Sequence, residues 1–248
     1  MAKLSSLEVL YEDNHIIAVN KKSSDIVQGD KTGDVPLSER VKEYLKKKYD
    51  KQGNVYIGVI HRLDRPVSGV VLFAKTSKAL ARMNDMFRLH DVQKIYWAVV
   101  KNKPEPPSGT LTHFLKKNEQ ENKSYIQETN VKGAQKAELS YRVVGKSERF
   151  FLLEVIPKTG RHHQIRVQLA AIGSPIKGDV KYGYERSNEH GGIHLHAVKI
   201  EFIHPVHKTK TEIVAPLPHD VIWNYFKKEK AENLAIASDL VLKTNTSE

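Results

Sequence analysis

Cysteine is absent from all 248 residues, so this chain has no disulfides and no thiolate metal ligands. No apolar run approaches the roughly 20 residues that a membrane-spanning helix needs. The N-terminus, MAKLSSLEVLYEDNH, lacks the apolar stretch of a secretory signal, so a cytoplasmic protein is the expectation. GxGxxG and Walker-type loops are missing, which leaves nucleotide cofactors without support. There is no internal repeat, and no linker long enough to separate two folded domains.

Positive charge is what the chain has in excess. Forty Lys and Arg against 29 Asp and Glu give a net charge of +11. An imbalance of this size favours a polyanionic partner, nucleic acid foremost, although a basic solvated surface has the same composition. The hydrophobic fraction of 40% suits a soluble chain with a substantial core.

Strand patterns outnumber helical ones. Strands are expected at 7–11, 16–20, 55–60, 70–75, 94–102, 137–145, 150–158 and 191–205. Helical spacing appears at 37–49, at 77–90 with Ser77 as the N-cap, and at 162–173, which Gly173 stops. A closing helix is expected at 221–234, and the lysine-rich segment 116–136 reads as an exposed hairpin or loop. Without regular β-α alternation, this predicts an α+β fold on a mixed, mainly antiparallel sheet flanked by helices.

Four stretches carry candidate chemistry. In IHRLDRPVSGV (60–70), Asp64 sits between two arginines where the backbone turns sharply. It reads either as a turn salt bridge or as a carboxylate held in its charged form by a guanidinium. In KTGRHHQIR (158–166) a strand ends and a helix begins, a place that attracts phosphates, and Arg161 adds a bidentate donor. Arg166 lies beside apolar Ile165 and Val167, where a cation needs an acid, and Asp64 is the expected partner. Its alternative is a surface arginine whose stem covers apolar side chains. Tyr96 shares a strand face with Lys94 and Ala98, opposite Trp97. In HLH (194–196) two histidines at i and i+2 offer a weak zinc signal without a third ligand, so no metal is expected.

Taken together these stretches resemble the RluA-type pseudouridine synthases. HRLDRPVSGVVLFAK (61–75) is similar to the family's H-R-L-D motif, and KIYWAVVKN (94–102) to its tyrosine strand. PKTGRHHQIRVQLAAIGSPIKGDVKYG (157–183) is similar to its third motif, and HLHAVKIEFIHP (194–205) to its closing strand. The resemblance covers about residues 7–218. Pro66, Val67, His162, Gln168 and Ser174 depart from the commonest forms, which touches substrate detail more than the reaction.

The resemblance implies the pseudouridine synthase fold with a central RNA-binding cleft. It implies an isomerase that converts uridine in rRNA or tRNA to pseudouridine without a cofactor or metal, as a monomer. Asp64 matches the catalytic aspartate, Tyr96 the active-site tyrosine, and Arg166 the basic residue paired with the aspartate. Arg62 matches the arginine that helps flip the target base, and Leu169 the apolar pocket residue. His61, Arg161 and Lys177, with the lysines of 116–136, are the expected RNA contacts. One catalytic domain over 1–230, without an S4 RNA-binding domain, and a tail over 231–248 are expected. Competing readings are a non-catalytic RNA-binding module on the same fold and a zinc hydrolase using the His-rich stretch.

Overall fold

The structure is a computed structural model, and it describes residues 7–30, 32–129, 131–189 and 191–231. Alternating apolar residues build the central sheet. In β2 (Ile16–Lys21), Ile17 and Val19 face one core, while Ile16 and Ala18 face the other. β4 (Ser68–Ala74) is buried along its whole length, which explains its continuous apolar run. With β1 (Val9–Glu12), β3 (Gly58–Val59), β5 (Gln93–Val100) and β6 (Ser108–Asn118), these strands form the first part of the sheet in chain order. β7 (Lys123–Gln127), β8 (Gln135–Lys146), β9 (Phe151–Pro157), β10 (Leu195–Ile203) and β11 (Lys210–Val214) follow.

Among the described residues the strands form one mixed sheet in the order β1-β2-β4-β10-β5-β9-β8-β6-β7, with β11 on β10 and β3 on β4. The pairings are antiparallel except β4 with β10, where His196 and Ala197 lie beside Ser68 and Gly69. Gly69 is required there: its φ is 118°, and a Cβ would come within 2.3 Å of the Ala197 carbonyl oxygen. That close approach sets the strand that leaves the Asp64 turn.

α1 (Leu37–Lys48) and α3 (Gln164–Ala171) cover one face through Leu37, Val41, Ile165 and Leu169. α2 (Ser77–Arg88) covers the other through Ala79 and Met83. A further helix, α4, starts at 221 and is described to 231. Its Trp223 and Phe226 lie against Val99 and Leu152, with Trp97 at the margin. The Trp97 face of β5 therefore meets α4, and Tyr96 turns to the main core, as the strand period predicts.

Several expectations shift. Thr76, not Ser77, caps α2: its side-chain oxygen accepts the Ala79 amide at 3.1 Å. The 55–60 run yields only the two-residue β3. The segment 116–136 is the β6–β7 hairpin and the start of β8. Most of the expected tail at 231–248 lies outside the described residues.

Candidate active site

Asp64 sits on the turn leading into β4, where the Val67 amide donates to the Asp64 carbonyl at 3.0 Å. Below the turn, the side chain of Lys21 is completely buried at the end of β2. Its ammonium donates to the carbonyls of Lys22 (3.0 Å), Arg65 (3.0 Å) and Val67 (2.6 Å). Three donors meet three backbone acceptors, so the turn is built around this lysine. Burial pushes the Lys21 pKa down to about 7, against the pull of Asp25 and Asp64.

Arg166 projects from α3 and is buried. Its Nε and Nη2 donate to the two oxygens of Asp179 at 2.7 and 2.8 Å, and its Nη1 donates to Asp64 at 3.2 Å. The expected Asp64 contact is present, but the two-bond partner is Asp179. Two parallel bonds fix the plane of the guanidinium, which leaves one edge for Asp64. The guanidinium also lies 5.1 Å from the centroid of the Tyr182 ring.

His163 approaches the same Asp64 oxygen that accepts from Arg166, with Nε2 3.6 Å away. Its backbone is left-handed (φ 55°), a conformation that costs a non-glycine residue about 1–3 kcal/mol. Two further groups hold it there. The Ser124 amide donates to the Tyr182 oxygen at 2.9 Å, and that hydroxyl lies 2.8 Å from His163 Nδ1 and 3.3 Å from the Ser124 carbonyl. The Asp64 carboxylate can only accept, so the neutral ring places its proton on Nε2, facing Asp64, and Nδ1 is left to accept the Tyr182 proton. Burial, with Arg166 nearby, pushes the His163 pKa down to about 2, so the ring stays neutral. Burial pushes Tyr182 up to about 12, so the phenol keeps the proton it donates.

A cavity of about 170 Å³ opens beside Asp64. This is below the ~300–1,000 Å³ of drug-sized sites and on the scale of one planar base. Tyr96, Ile165 and Leu195 give it apolar surface. Burial, then Asp64, raises the Tyr96 pKa, so its phenol stays protonated at neutral pH. His61 stacks on Phe87 (centroids 5.2 Å apart) and its Nε2 accepts the Leu72 amide at 3.1 Å. A second cavity of about 450 Å³ shares Asp64, His163 and Arg166 with the first and adds Arg65, Lys117, Lys181 and His162. Arg62 lines both cavities and, among the described residues, has no hydrogen bond or ion pair.

The sequence-predicted residues divide cleanly. His61, Arg62, Asp64, Tyr96, Arg161 and Arg166 all line the first cavity. Leu169 does not: it is fully buried in the core, one helical turn past Ile165, which takes the lining position. Lys177 is also elsewhere, donating to Asn188 at 2.7 Å in a cavity beside His194 and Trp223. Asp179, His163 and Tyr182 were missed as site residues. The signal was present in GDVKYG (178–183), where a buried acid and an aromatic follow a helix carrying a buried arginine.

The HLH histidines are each occupied. His194 pairs with Asp220 at 3.2 Å, and His196 meets Ser68 Oγ at 2.8 Å. One trio among the described residues has metal-ligand spacing, Asp13, His204 and His207. His204 Nδ1 accepts the amides of Val206 and His207 at 3.2 and 2.9 Å. A neutral ring then carries its proton on Nε2, the atom 2.8 Å from Asp13. Asp13 faces that proton as a charged neighbour, and a metal would need the lone pair that the proton occupies.

Residues 15–171 match the family model described as RNA pseudouridylate synthase. The chain belongs to the RNA pseudouridylate synthase family. It is 32% identical over 225 residues to the ribosomal large subunit pseudouridine synthase C of Vibrio cholerae, covering 88% of this chain and 68% of that one. It is 31% identical over 237 residues to the tRNA pseudouridine synthase C of Vibrio parahaemolyticus, covering 88% and 92%. Among solved structures, human RNA pseudouridylate synthase domain containing 4 superposes with a TM-score of 0.72 at 22% identity, covering 87% of this chain and 90% of that one. That likeness concerns the fold alone. Family membership makes the chain an isomerase that converts uridine to pseudouridine in RNA. No helix among the described residues is long and apolar enough to cross a membrane.

Proposed function

We propose that the first cavity receives a uracil base flipped out of RNA, and that Asp64 acts at C1′ of its ribose. The observation that carries this reading is Asp64 Oδ2, 3.2 Å from the Arg166 guanidinium and 3.6 Å from His163 Nε2, at the wall of a base-sized cavity. In the reaction the C1′–N1 bond breaks and the base leaves with the electron pair. It rotates, and C5 bonds to C1′. C5 then loses its proton and N1 gains one, so the product is an isomer of the substrate. Asp64 meets the positive character that develops at C1′. Arg166 holds the carboxylate in place from an anchor on Asp179. Tyr96, held as a neutral phenol, offers its ring to the base and its hydroxyl as a donor. A raised pKa suits Tyr96 as a donor better than as the group that takes the C5 proton.

A base enclosed in a cavity must leave its stack, which favours loops and other unpaired RNA. Arg62, unpartnered and common to both cavities, fits the space vacated by the flipped base. Arg65, Lys117 and Lys181 give the second cavity the charge to follow the backbone on either side. The named relatives act on ribosomal and transfer RNA, and structured RNA of those two kinds is the proposed substrate class. The protein is proposed to work as a monomer in the cytoplasm.

The test is pseudouridine formation. Asp64→Asn is expected to reduce tritium release from 5-tritiated uridine in RNA by on the order of 10³-fold or more, with binding retained. A near wild-type rate overturns the assignment. Mapping pseudouridines in rRNA and tRNA from cells with and without the gene identifies the target, and identical maps overturn the substrate class.

A further inference from the structure

Lys94 is a half-buried cation without a counter-ion. It lies two residues before Tyr96 on β5, on the same strand face, in the wall of the 170 Å³ cavity. Among the described residues no carboxylate pairs with its ammonium and no oxygen accepts a hydrogen bond from it. Its nearest recorded partner is the Phe87 ring, 5.7 Å from Nζ to the centroid. The other buried cation in the wall is accounted for, because Arg166 is held by Asp179 and Asp64. Arg161 donates to the Lys136 carbonyl at 3.1 Å, and Arg62 is exposed. The neighbouring His61 offers no negative charge in either protonation state, and burial, which pushes its pKa down to about 3, keeps it neutral. A cation taken out of water without an acid is costly, and the cost falls when a ligand brings negative charge to it.

The proposed reaction produces such a charge. When the C1′–N1 bond breaks, its electron pair stays with the base and spreads from N1 onto the carbonyl oxygens O2 and O4. We propose that Lys94 is a further catalytic residue, whose ammonium meets a uracil carbonyl and stabilises the negative charge on the departing base. The charge is discharged when C5 uses an electron pair to bond C1′, and no proton leaves Lys94 in the cycle. The inference rests on the uridine-isomerising reading of the same cavity. The cavity around Lys94 favours a base over a phosphate, since Phe87, Ile165 and Leu195 are apolar. The second cavity, with Arg65, Lys117 and Lys181, serves phosphates better.

The test compares two leaving groups. Unmodified rRNA and tRNA transcripts are made with uridine or with 5-fluorouridine, and single-turnover loss of the parent nucleoside is followed with enzyme in excess. Fluorine at C5 withdraws electrons and stabilises the departing anion, so it reduces the need for the ammonium. Lys94→Met, which keeps the stem volume, is expected to lower the uridine rate by about 10²-fold or more. The 5-fluorouridine rate should fall by about tenfold or less, RNA affinity should stay within about twofold, and Lys94→Arg should recover part of the loss. Equal losses on both RNAs overturn the proposal. So does a loss confined to RNA affinity with a shallower salt dependence, which would mark Lys94 as a phosphate contact. A misfolded Lys94→Met is resolved by Lys94→Arg: if folded Lys94→Arg shows equal losses on both RNAs, the proposal fails. A wild-type protein that converts no uridine overturns the reading beneath it, and this proposal with it.

Discussion

Arg166 is bound to Asp179 by two hydrogen bonds and to Asp64 by one. Asp64 is therefore not the anchor of the arginine beside it. As the proposed reacting carboxylate, it can shift toward a ribose while the guanidinium stays fixed from behind. Asp179→Asn should cost about 3–5 kcal/mol in denaturant unfolding, because it leaves a buried guanidinium short of charge. Where the variant is still folded, its pseudouridine rate should fall while RNA affinity holds. Unchanged stability would mean that Asp64 alone satisfies Arg166.

Lys21 gives a second prediction. Its ammonium is the donor to the Arg65 and Val67 carbonyls on the Asp64 turn. Lys21→Met keeps the volume and removes the donor, leaving the Val67 carbonyl short at about 1–3 kcal/mol, while the Arg65 carbonyl keeps the Ser24 amide at 2.9 Å. The turn should loosen, which hydrogen exchange at Val67 and Ser68 would report as faster opening. Protection equal to wild type would show that the turn holds without the lysine.

The sheet, and the residues that meet at its centre, were legible because strand period and apolar runs report local geometry. Tyr96 and Trp97 divide between faces as period 2 requires. The choice of partner was less legible. Asp64 and Asp179 are both acids within reach of Arg166 once the chain folds, and spacing in sequence cannot rank them. Leu169 shows the same limit along a helix: residues four apart share a face, but only the end nearer the cavity touches it, so Ile165 lines the site and Leu169 fills the core. Lys177 was grouped with the RNA contacts by charge, yet the chain after α3 carries it to a different cavity. His163 escaped notice because a left-handed residue other than glycine has no sequence signal at this position.

The Ser124–Tyr182–His163 chain yields a third prediction. Tyr182→Phe removes the hydroxyl that accepts the Ser124 amide and donates to His163 Nδ1. The fold should lose about 1–3 kcal/mol from the unpaired amide and imidazole. The imidazole would then be free to place its proton on Nδ1, turning a lone pair toward Asp64. The pseudouridine rate should drop by about tenfold, and the His163 tautomer, read from nitrogen-15 shifts of the ring, should change. A rate loss with the tautomer unchanged would assign Tyr182 a packing role alone.

The acid limb of stability is set in part far from the site. Glu12, at the end of β1, accepts hydrogen bonds from Lys48 (2.7 Å), Lys75 (2.9 Å) and Tyr49 (2.7 Å). It thereby joins the sheet edge to the end of α1. Burial works against its charge, but these hydrogen bonds prevail and hold its pKa down at about 2, from an ordinary 4.5. A carboxyl whose folded pKa lies below its unfolded value binds more protons when unfolded, so its contribution is complete above about 4.5 and fades as pH falls toward 2. Glu12→Gln removes that titration. The wild type should exceed the variant in unfolding free energy at pH 7, and the gap should narrow steadily from pH 4.5 downward. Chemical denaturation at several pH values measures it. A gap that stays constant with pH would mean that Glu12 stabilises by packing, with its charge contributing nothing.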